Sequence, residues 1–460
     1  MSAIIFFYLL FKLLFQLLAS SPVNKFFLFN RHNLIVTFLV FSLDISAINN
    51  VVSDFGIKYE DVIYKSAIKT AQLRETSYEL AAPIIELGSE QQLKLSFDDL
   101  NGEYENYSYT FIHCDAFWNP SDLMQNEYMN VFFEDNISNY TYSVNTLQKY
   151  THYEIVFPNN NMKITKSGNY ILYVYENGDK NIPVLTKRFM VYQPNVTISG
   201  IVQQAAKADE YMNKQEVDFS ILHPNYKIIN PFQDVKVILT QNNRWDNAIT
   251  NLKPLFINQN ELNYNYDDGS NCFNSGNEFR NFDNKSFKFL TPFVSHHFKD
   301  SSNQNNTLVL PEQLKTFKRY VQVDDVNGEF FIRNTEMDRN ENEADYAWVH
   351  FFLPYKEPLG EGNFYVTGKF CDWNNVELNK LKYNYSKKGY ELKIYLKQGY
   401  YNYFLVYQKD DKSPMDETML EGNHWETEND YTIFVYHRSI GTYYDQLIGI
   451  KKLNSVRRQR

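Results

Sequence analysis

Residues 168–192 of the 460-residue chain read GNYILYVYENGDKNIPVLTKRFMVY, and this stretch decides the fold class. Aromatic and branched apolar residues fill 170–175 and 185–192, and the turn-forming residues Asn177-Gly178-Asp179 lie between these two runs. Such residues favour the backbone conformations with positive φ that tight hairpin turns require. The stretch therefore predicts an antiparallel β-hairpin.

The same period of two continues on the N-terminal side of the hairpin. Segments 92–97, 107–112 and 153–157 alternate aromatic or branched residues with polar ones, and turn-forming residues follow each segment. This alternation is typical of strands that bury one face in an antiparallel sandwich. We expect a first, immunoglobulin-like domain at residues 55–195.

A second β-rich domain is predicted at residues 196–345. Its strand-like segments are 196–200 and 235–239, and its long Asn-, Asp- and Ser-rich stretches, predicted to be loops, are 257–275 and 295–307. The domain ends in the acidic run 336–345, which we expect to be a solvated linker.

A third sandwich is predicted at residues 346–455. Five short apolar segments recur in it at regular spacing, at 349–353, 364–367, 390–396, 401–407 and 432–436. The motifs FYVTGKFCDWN at 364–374 and GYYNY at 399–403 resemble the starch- and glycogen-binding type of early-set sandwich. The predicted fold class is thus all-β, with tandem immunoglobulin-like and early-set sandwiches.

The composition excludes several classes of protein. The chain has 36 Tyr and 36 Phe and only 22% charged residues, which excludes a disordered, collagen-like or coiled-coil chain. Its net charge is -10 and no basic face is evident, so we expect no nucleic-acid partner. The three cysteines, Cys114, Cys272 and Cys371, are too few and too far apart for a disulfide framework.

The N-terminus, residues 1–47, carries two apolar runs, 4–18 and 34–43. The second run follows basic residues and ends near Ser46-Ala47, which is the layout of a secretory signal peptide with its cleavage site. The first run favours either a start codon downstream of Met1 or, as the alternative, a membrane anchor. The remainder of the chain is expected to be exported.

The residue types of enzymes and metal sites occur only in weak patterns. His113-Cys114-Asp115 contains the groups of a hydrolase, but neighbours in a strand point to opposite faces, so we predict no catalytic residue there. His296-His297 and the acidic run that begins at Asp338 lack the spacing of a metal site. We expect no enzyme activity, no cofactor and no metal.

Aromatic residues in turn-like contexts are the candidate binding residues. An indole at a loop end can stack on a sugar or anchor a protein interface, and the alternative is that it closes the end of a sandwich. The candidates are Trp118, Asn119, Trp245, Trp373, Asn374 and Trp425.

Several longer motifs resemble one family. They are FIHCDAFWNP at 111–120, YTHY at 150–153, FPN at 157–159, ITKSGNY at 164–170, EFR at 278–280, KQGYYNY at 397–403 and EGNHWETEN at 421–429. Together they are similar to the type IX secretion system plug proteins of Bacteroidota. The resemblance implies a non-enzymatic periplasmic protein, associated with the outer membrane, that binds the translocon barrel and closes its periplasmic opening. The alternative is a carbohydrate-binding protein that takes a glycan at Trp373 and Asn374 of the third domain.

Overall fold

The computed structural model describes residues 56–336, 341–411 and 413–456. Within these residues the chain forms seven β-sheets, in which all but two of the strand pairings are antiparallel, and three one-turn helices. The predicted all-β class with tandem β-sandwiches is confirmed. The signal or anchor segment predicted at residues 1–47 lies outside the described residues.

The first sandwich holds the predicted hairpin. Its strands are β1 (Val62–Ile63), β2 (Ile68–Glu75), β3 (Ile84–Glu86), β4 (Leu93–Asp99), β5 (Tyr107–Cys114), β6 (Met129–Val131), β7 (Glu134–Asn136), β8 (Asn139–Tyr142), β9 (Thr151–Phe157), β10 (Met162–Ile164), β11 (Gly168–Glu176) and β12 (Asp179–Tyr192), with helix α1 (Gln125–Tyr128) before β6. One sheet has the order β1-β12-β11-β5-β7 with β3 beside β12, and the facing sheet has the order β2-β4-β9-β8. The hairpin pairs Tyr170 with Phe189, whose rings stack at 5.2 Å in the core between the sheets.

The second sandwich begins directly after β12. Its first strands are β13 (Thr197–Gln204), β14 (Lys214–Leu222), β15 (Val235–Gln241), β16 (Phe256–Asn258), β17 (Glu261–Tyr264) and β18 (Cys272–Asn274), with helix α2 (Pro231–Asp234) before β15. Strands β13, β14, β16, β17 and β18 form one sheet, and β15 belongs to the opposite sheet.

The chain enters the third sandwich before the second sandwich is complete. Its strands are β19 (Arg280–Asp283), β20 (Val294–Lys299), β21 (Asn305–Val309), β22 (Phe330–Ile332), β23 (Tyr346–Pro354), β24 (Asn363–Thr367), β25 (Lys382–Asn384), β26 (Gly389–Lys397) and β27 (Gly399–Gln408), followed by helix α3 (Thr418–Glu421). One sheet joins β19, β22 and β24 to β27, and the other has the order β20-β21-β23-β26-β25.

The chain then returns to the second sandwich. Strands β28 (Asp430–His437) and β29 (Gln446–Asn454) pair with β15, so that Val237 lies opposite Val435. One face of this sheet joins the core of the second sandwich, while Ile238, Phe434 and Tyr436 on its other face pack against the first sandwich. A sheet that is buried on both faces needs a continuous apolar run, which is what residues 431–436, YTIFVY, supply.

Three sequence predictions in this region are wrong. The segment 432–436, predicted for the third domain, pairs with β15 of the second sandwich instead, because only there are both of its faces covered. The stretches 257–275 and 295–307, predicted as loops, contain β17, β18 and parts of β16, β20 and β21. The acidic run also packs in part: Asp345 is buried and accepts hydrogen bonds from the backbone N–H groups of Leu147 and Gln148.

None of the helices that the structure describes is long enough and apolar enough to cross a bilayer.

Candidate functional site

Two of the predicted tryptophans lie in contact with each other. Trp118 is only 5% exposed, and its ring meets that of Trp245 edge to face at 5.0 Å. The Arg188 guanidinium lies 4.6 Å from the centre of the Trp118 ring, and Trp245 stacks on Phe434. The pair thus fills the junction between the first and second sandwiches.

Trp373 is covered by protein, whereas Trp425 is only partly buried. Trp373 is 7% exposed, and the Arg244 guanidinium lies 4.7 Å from the centre of its ring. Trp425 is half-buried, and its backbone carbonyl accepts a hydrogen bond from the Gln215 side chain at 2.7 Å. Cationic and aromatic neighbours cover the rings of Trp118 and Trp373, which is in keeping with the alternative that these indoles close the ends of sandwiches.

The side chains of the two predicted asparagines donate hydrogen bonds to other residues of the protein. Asn119 donates from its side chain to the Asp115 carboxylate at 3.2 Å, which closes the turn after β5. Asn374 donates to the Asp61 carbonyl oxygen at 3.1 Å and so joins the third sandwich to the start of the first.

The side chains of His113 and Cys114 lie in different surroundings, as the alternation of neighbours along a strand predicts. The His113 ring packs against Tyr170 at 4.9 Å and faces Ser121 Oγ at 2.9 Å, while Cys114 is buried in a different cluster. Burial raises the pKa of the Cys114 thiol well above its ordinary value and lowers the pKa of His113 to about 4. Thiol and imidazole are both neutral at pH 7, so neither is activated as a nucleophile or an acid.

A narrow cleft of about 60 Å³ lies where the three sandwiches meet. Asp61 lines this cleft and is held by Lys369 at 3.1 Å. Burial acts to raise the pKa of Asp61, but Lys369 and Lys187 outweigh it and lower the pKa to about 2. Lys187 in turn pairs with Asp372 at 2.7 Å. These ion pairs hold the first and third sandwiches together.

The structure shows an exposed apolar surface that the sequence reasoning missed. It runs from the start of α1 to the start of β7 in the first sandwich, and we call it the apolar edge: Met124, Val131, Phe132 and Phe133. Met124 is 72% exposed and Phe132 is 56% exposed. The Gln125 side chain donates to the Phe133 carbonyl oxygen at 3.1 Å, which holds the α1 end and the 131–133 end of the edge together.

The backbone at the apolar edge is strained. Val131 has a φ of 80°, a region that β-branched residues avoid on steric grounds. Strain of this kind costs about 1–3 kcal/mol and is concentrated at functional positions. The sequence signal was available in Val131-Phe132-Phe133, three consecutive apolar residues where a half-buried strand should alternate.

A second exposed apolar group lies on the third sandwich. We call it the outer patch, and it consists of Phe289, Leu290, Phe293 and Leu310. The Leu310 N–H donates to the Phe293 carbonyl oxygen at 2.8 Å, so these two residues are neighbours.

Comparison with known proteins places the first sandwich in a family. Residues 68–193 match the model of the type 9 secretion system plug protein 1st domain. This segment contains the apolar edge, Trp118 and the central hairpin.

A solved structure is similar over most of the chain. It is the crystal structure of a hypothetical protein from Parabacteroides merdae ATCC 43184, with 33% identity and a TM-score of 0.83. The alignment covers 86% of this chain and 100% of the Parabacteroides chain. The order of the three sandwiches is therefore shared with that protein.

Dimeric latent PorU from Porphyromonas gingivalis aligns with 9% identity over 84% of this chain and 34% of its own, at a TM-score of 0.12, which carries no structural likeness. No curated protein matches the sequence. On the motifs in its sequence and the match of its first sandwich, the chain belongs to the type 9 secretion system plug protein family.

Proposed function

We propose that this protein binds the outer-membrane barrel of the type IX translocon from the periplasmic side and closes the barrel's periplasmic opening. The observation that carries the proposal is the apolar edge, which lies within the residues that match the plug domain. Exposed apolar groups gain free energy when a partner removes them from water, and contiguous ones mark interaction surfaces.

The ion pairs between the first and third sandwiches support a closing role. A body that blocks an opening must keep its shape, since flexible segments pay an ordering cost on binding. Lys187 of the first sandwich pairs with Asp372 of the third, and Asp98 of the first pairs with Lys397 of the third, each between largely buried side chains. These ion pairs oppose relative motion of the first and third sandwiches.

The proposed location is the periplasm. A secretion component of this family works in the cell envelope, and the signal-like segment predicted near residues 34–47 would export the chain. The family is one of secretion components rather than of enzymes, in keeping with the inactive state of His113 and Cys114.

The carbohydrate-binding hypothesis has lost its main support. It depended on a free ring at Trp373 beside Asn374, but the ring is covered by Arg244, and the Asn374 side chain is bonded to Asp61.

The proposal is tested by crosslinking and affinity purification of the tagged protein from native envelopes. Wild type should recover one very large outer-membrane barrel, and Phe132→Asp/Phe133→Asp should lose it while keeping the wild-type melting temperature. The matched control is Phe289→Asp/Leu290→Asp in the outer patch, which should retain the barrel. Recovery of the barrel by all three proteins would show that the apolar edge is not the binding surface. Absence of the barrel from the wild-type sample would reject the proposed partner.

Closure has a readout of its own. Cells that carry the Phe132→Asp/Phe133→Asp variant should admit a large hydrophilic dye that the intact outer membrane excludes, whereas cells with the outer-patch control should not. Equal exclusion by both strains would contradict the closing role even if binding were confirmed.

A further inference from the structure

Three potential metal ligands meet where the first sandwich faces the segment that leads into β23. His152 and Glu154 lie on β9, and Glu341 begins a short 3-10 turn (Glu341–Glu343). His152 Nε2 lies 3.3 Å from Glu154 Oε1 and 3.9 Å from Glu341 Oε2. We propose that His152, Glu154 and Glu341 bind one Zn²⁺ ion.

The spacing of these atoms is close to that of a tetrahedral zinc site. Zinc bonds of about 2.0–2.2 Å at tetrahedral angles separate neighbouring ligand atoms by about 3.3–3.6 Å. The three side chains offer one ligand atom each, all within 4.8 Å of one another, so small rotations of the two carboxylates would complete the geometry. An imidazole with two carboxylates suits zinc better than calcium or magnesium, which prefer oxygen ligands alone.

The neighbour on the other side of His152 is an independent sign of a metal site. Asp98 Oδ1 lies 2.6 Å from His152 Nδ1, and both side chains are buried. Because an ionised carboxylate only accepts hydrogen bonds, Nδ1 donates its proton to Asp98, and Nε2, on the side of the two glutamates, is the nitrogen that would bind the ion. Metal-binding histidines are held by a carboxylate in the same way.

The position of Glu341 is fixed by the first sandwich. The Tyr150 hydroxyl donates to the Glu341 carbonyl oxygen at 3.0 Å, and the Val144 N–H donates to the Asn342 carbonyl oxygen at 3.0 Å. A cleft of about 330 Å³ opens beside the three ligands, which leaves a path of entry and room for water as a fourth ligand. The ion would therefore join β9 to the segment that leads into the third sandwich.

Two cations compete with zinc at this cluster. Lys94 forms an ion pair with Glu154, and Arg74 lies 3.6 Å from Glu341. Lys94 is partly exposed, so its ammonium group can move into solvent when the metal arrives. Removal of Lys94 should consequently strengthen zinc binding, an outcome that a merely structural ion-pair cluster would not produce.

The test is isothermal titration of the full exported chain, freed of metal by a chelator, with zinc sulfate. Wild type should bind one equivalent and show a raised melting temperature with zinc, and magnesium or calcium should not compete. Loss of an outer carboxylate typically weakens metal binding 10–100-fold, so Glu341→Gln, which removes a direct ligand, should weaken it at least about 100-fold. Lys94→Met should bind more tightly than wild type.

The matched control is Glu343→Gln, two residues away in the same turn, which should bind zinc like wild type. If wild type binds one equivalent of zinc but Glu341→Gln and Glu343→Gln weaken this binding equally, the assigned ligands are wrong. If neither wild type nor Lys94→Met binds zinc one to one, the proposed site is wrong. The result does not depend on the proposed function, because neither protein partner nor apolar edge enters the assay.

Discussion

Lys397 Nζ lies 2.6 Å from Asp98 Oδ2, although 299 residues separate the two along the chain. Both side chains are only 1% exposed. The Tyr346 hydroxyl donates to the same Asp98 oxygen at 2.6 Å. Burial acts to raise the pKa of Asp98, but Lys397 and His152 outweigh it, so the net shift is downward. The charge of a carboxylate in the first sandwich is thus neutralised and hydrogen-bonded by side chains of the third.

Lys397→Met should destabilise the protein strongly. Removal of one partner of a buried ion pair leaves an uncompensated charge and costs about 3–5 kcal/mol. The measurement is the free energy of unfolding in urea. The control is Lys387→Met, which breaks an exposed pair with Glu391 and should cost no more than about 1 kcal/mol. Equal losses in the two variants would show that the Asp98 pair is not desolvated as the structure has it.

Gly328→Ala should be much more harmful than Gly178→Ala. Both glycines have positive φ, so each substitution carries backbone strain of about 1 kcal/mol. A Cβ at Gly328 would lie 2.4 Å from a ring carbon of Trp373, whereas a Cβ at Gly178 meets nothing within 4 Å. The melting temperatures of the two variants provide the comparison. If they match, Trp373 does not fill the space beside Gly328.

Asp325 should make stability depend on pH. Burial raises the pKa of its carboxyl to about 7, helped by Glu278 and Glu428 and opposed by the N–H groups of Asn327 and Phe279. The folded state therefore holds a proton that the unfolded state has released, and stability falls as pH rises from about 4 to about 7.

The check is the unfolding free energy of wild type minus that of Asp325→Asn, measured from pH 4 to pH 9. This difference should decline up to about pH 7 and level off above it. Taking the difference removes the contribution of titrating groups that behave alike in both proteins. A difference that rises over this range would mean that the carboxyl is ionised and stabilised in the folded protein.

Trp373→Ala should lower stability by about 3–5 kcal/mol, the usual cost of deleting a buried large aromatic ring. Glucans should leave the tryptophan fluorescence of the wild-type protein unchanged, because the Trp373 ring is covered. A saturable fluorescence change with glucan that Trp373→Ala abolishes, at unchanged folding, would restore the carbohydrate-binding hypothesis.

The sequence predicted individual strands better than their partners. Residues 168–192 were expected to form a hairpin, and β11 pairs antiparallel with β12. The segment 432–436 was correctly expected to be a strand but was assigned to the wrong sandwich. Alternation of apolar and polar residues reports which faces are buried, and it does not report which sheet covers them.

The candidate site illustrates the same limit. The loop-end context of Trp118 and Trp373 left open whether their rings bind a partner or close the ends of sandwiches, and their neighbours Arg188 and Arg244 could not be anticipated from sequence distance. The run Val131-Phe132-Phe133 indicated the apolar edge in the sequence, but the exposure of these side chains depended on where β6 and β7 end.

The sequence by itself determined the all-β class, most of the strands and the plug family, because these depend on local alternation and on contiguous motifs. Tertiary structure alone decided that β28 and β29 complete the second sandwich, and that Asp98 meets Lys397 and His152 approaches Glu341. The physical reason is that long-range pairing is chosen by the burial of whole faces and the neutralisation of buried charge, which are properties of the assembled chain.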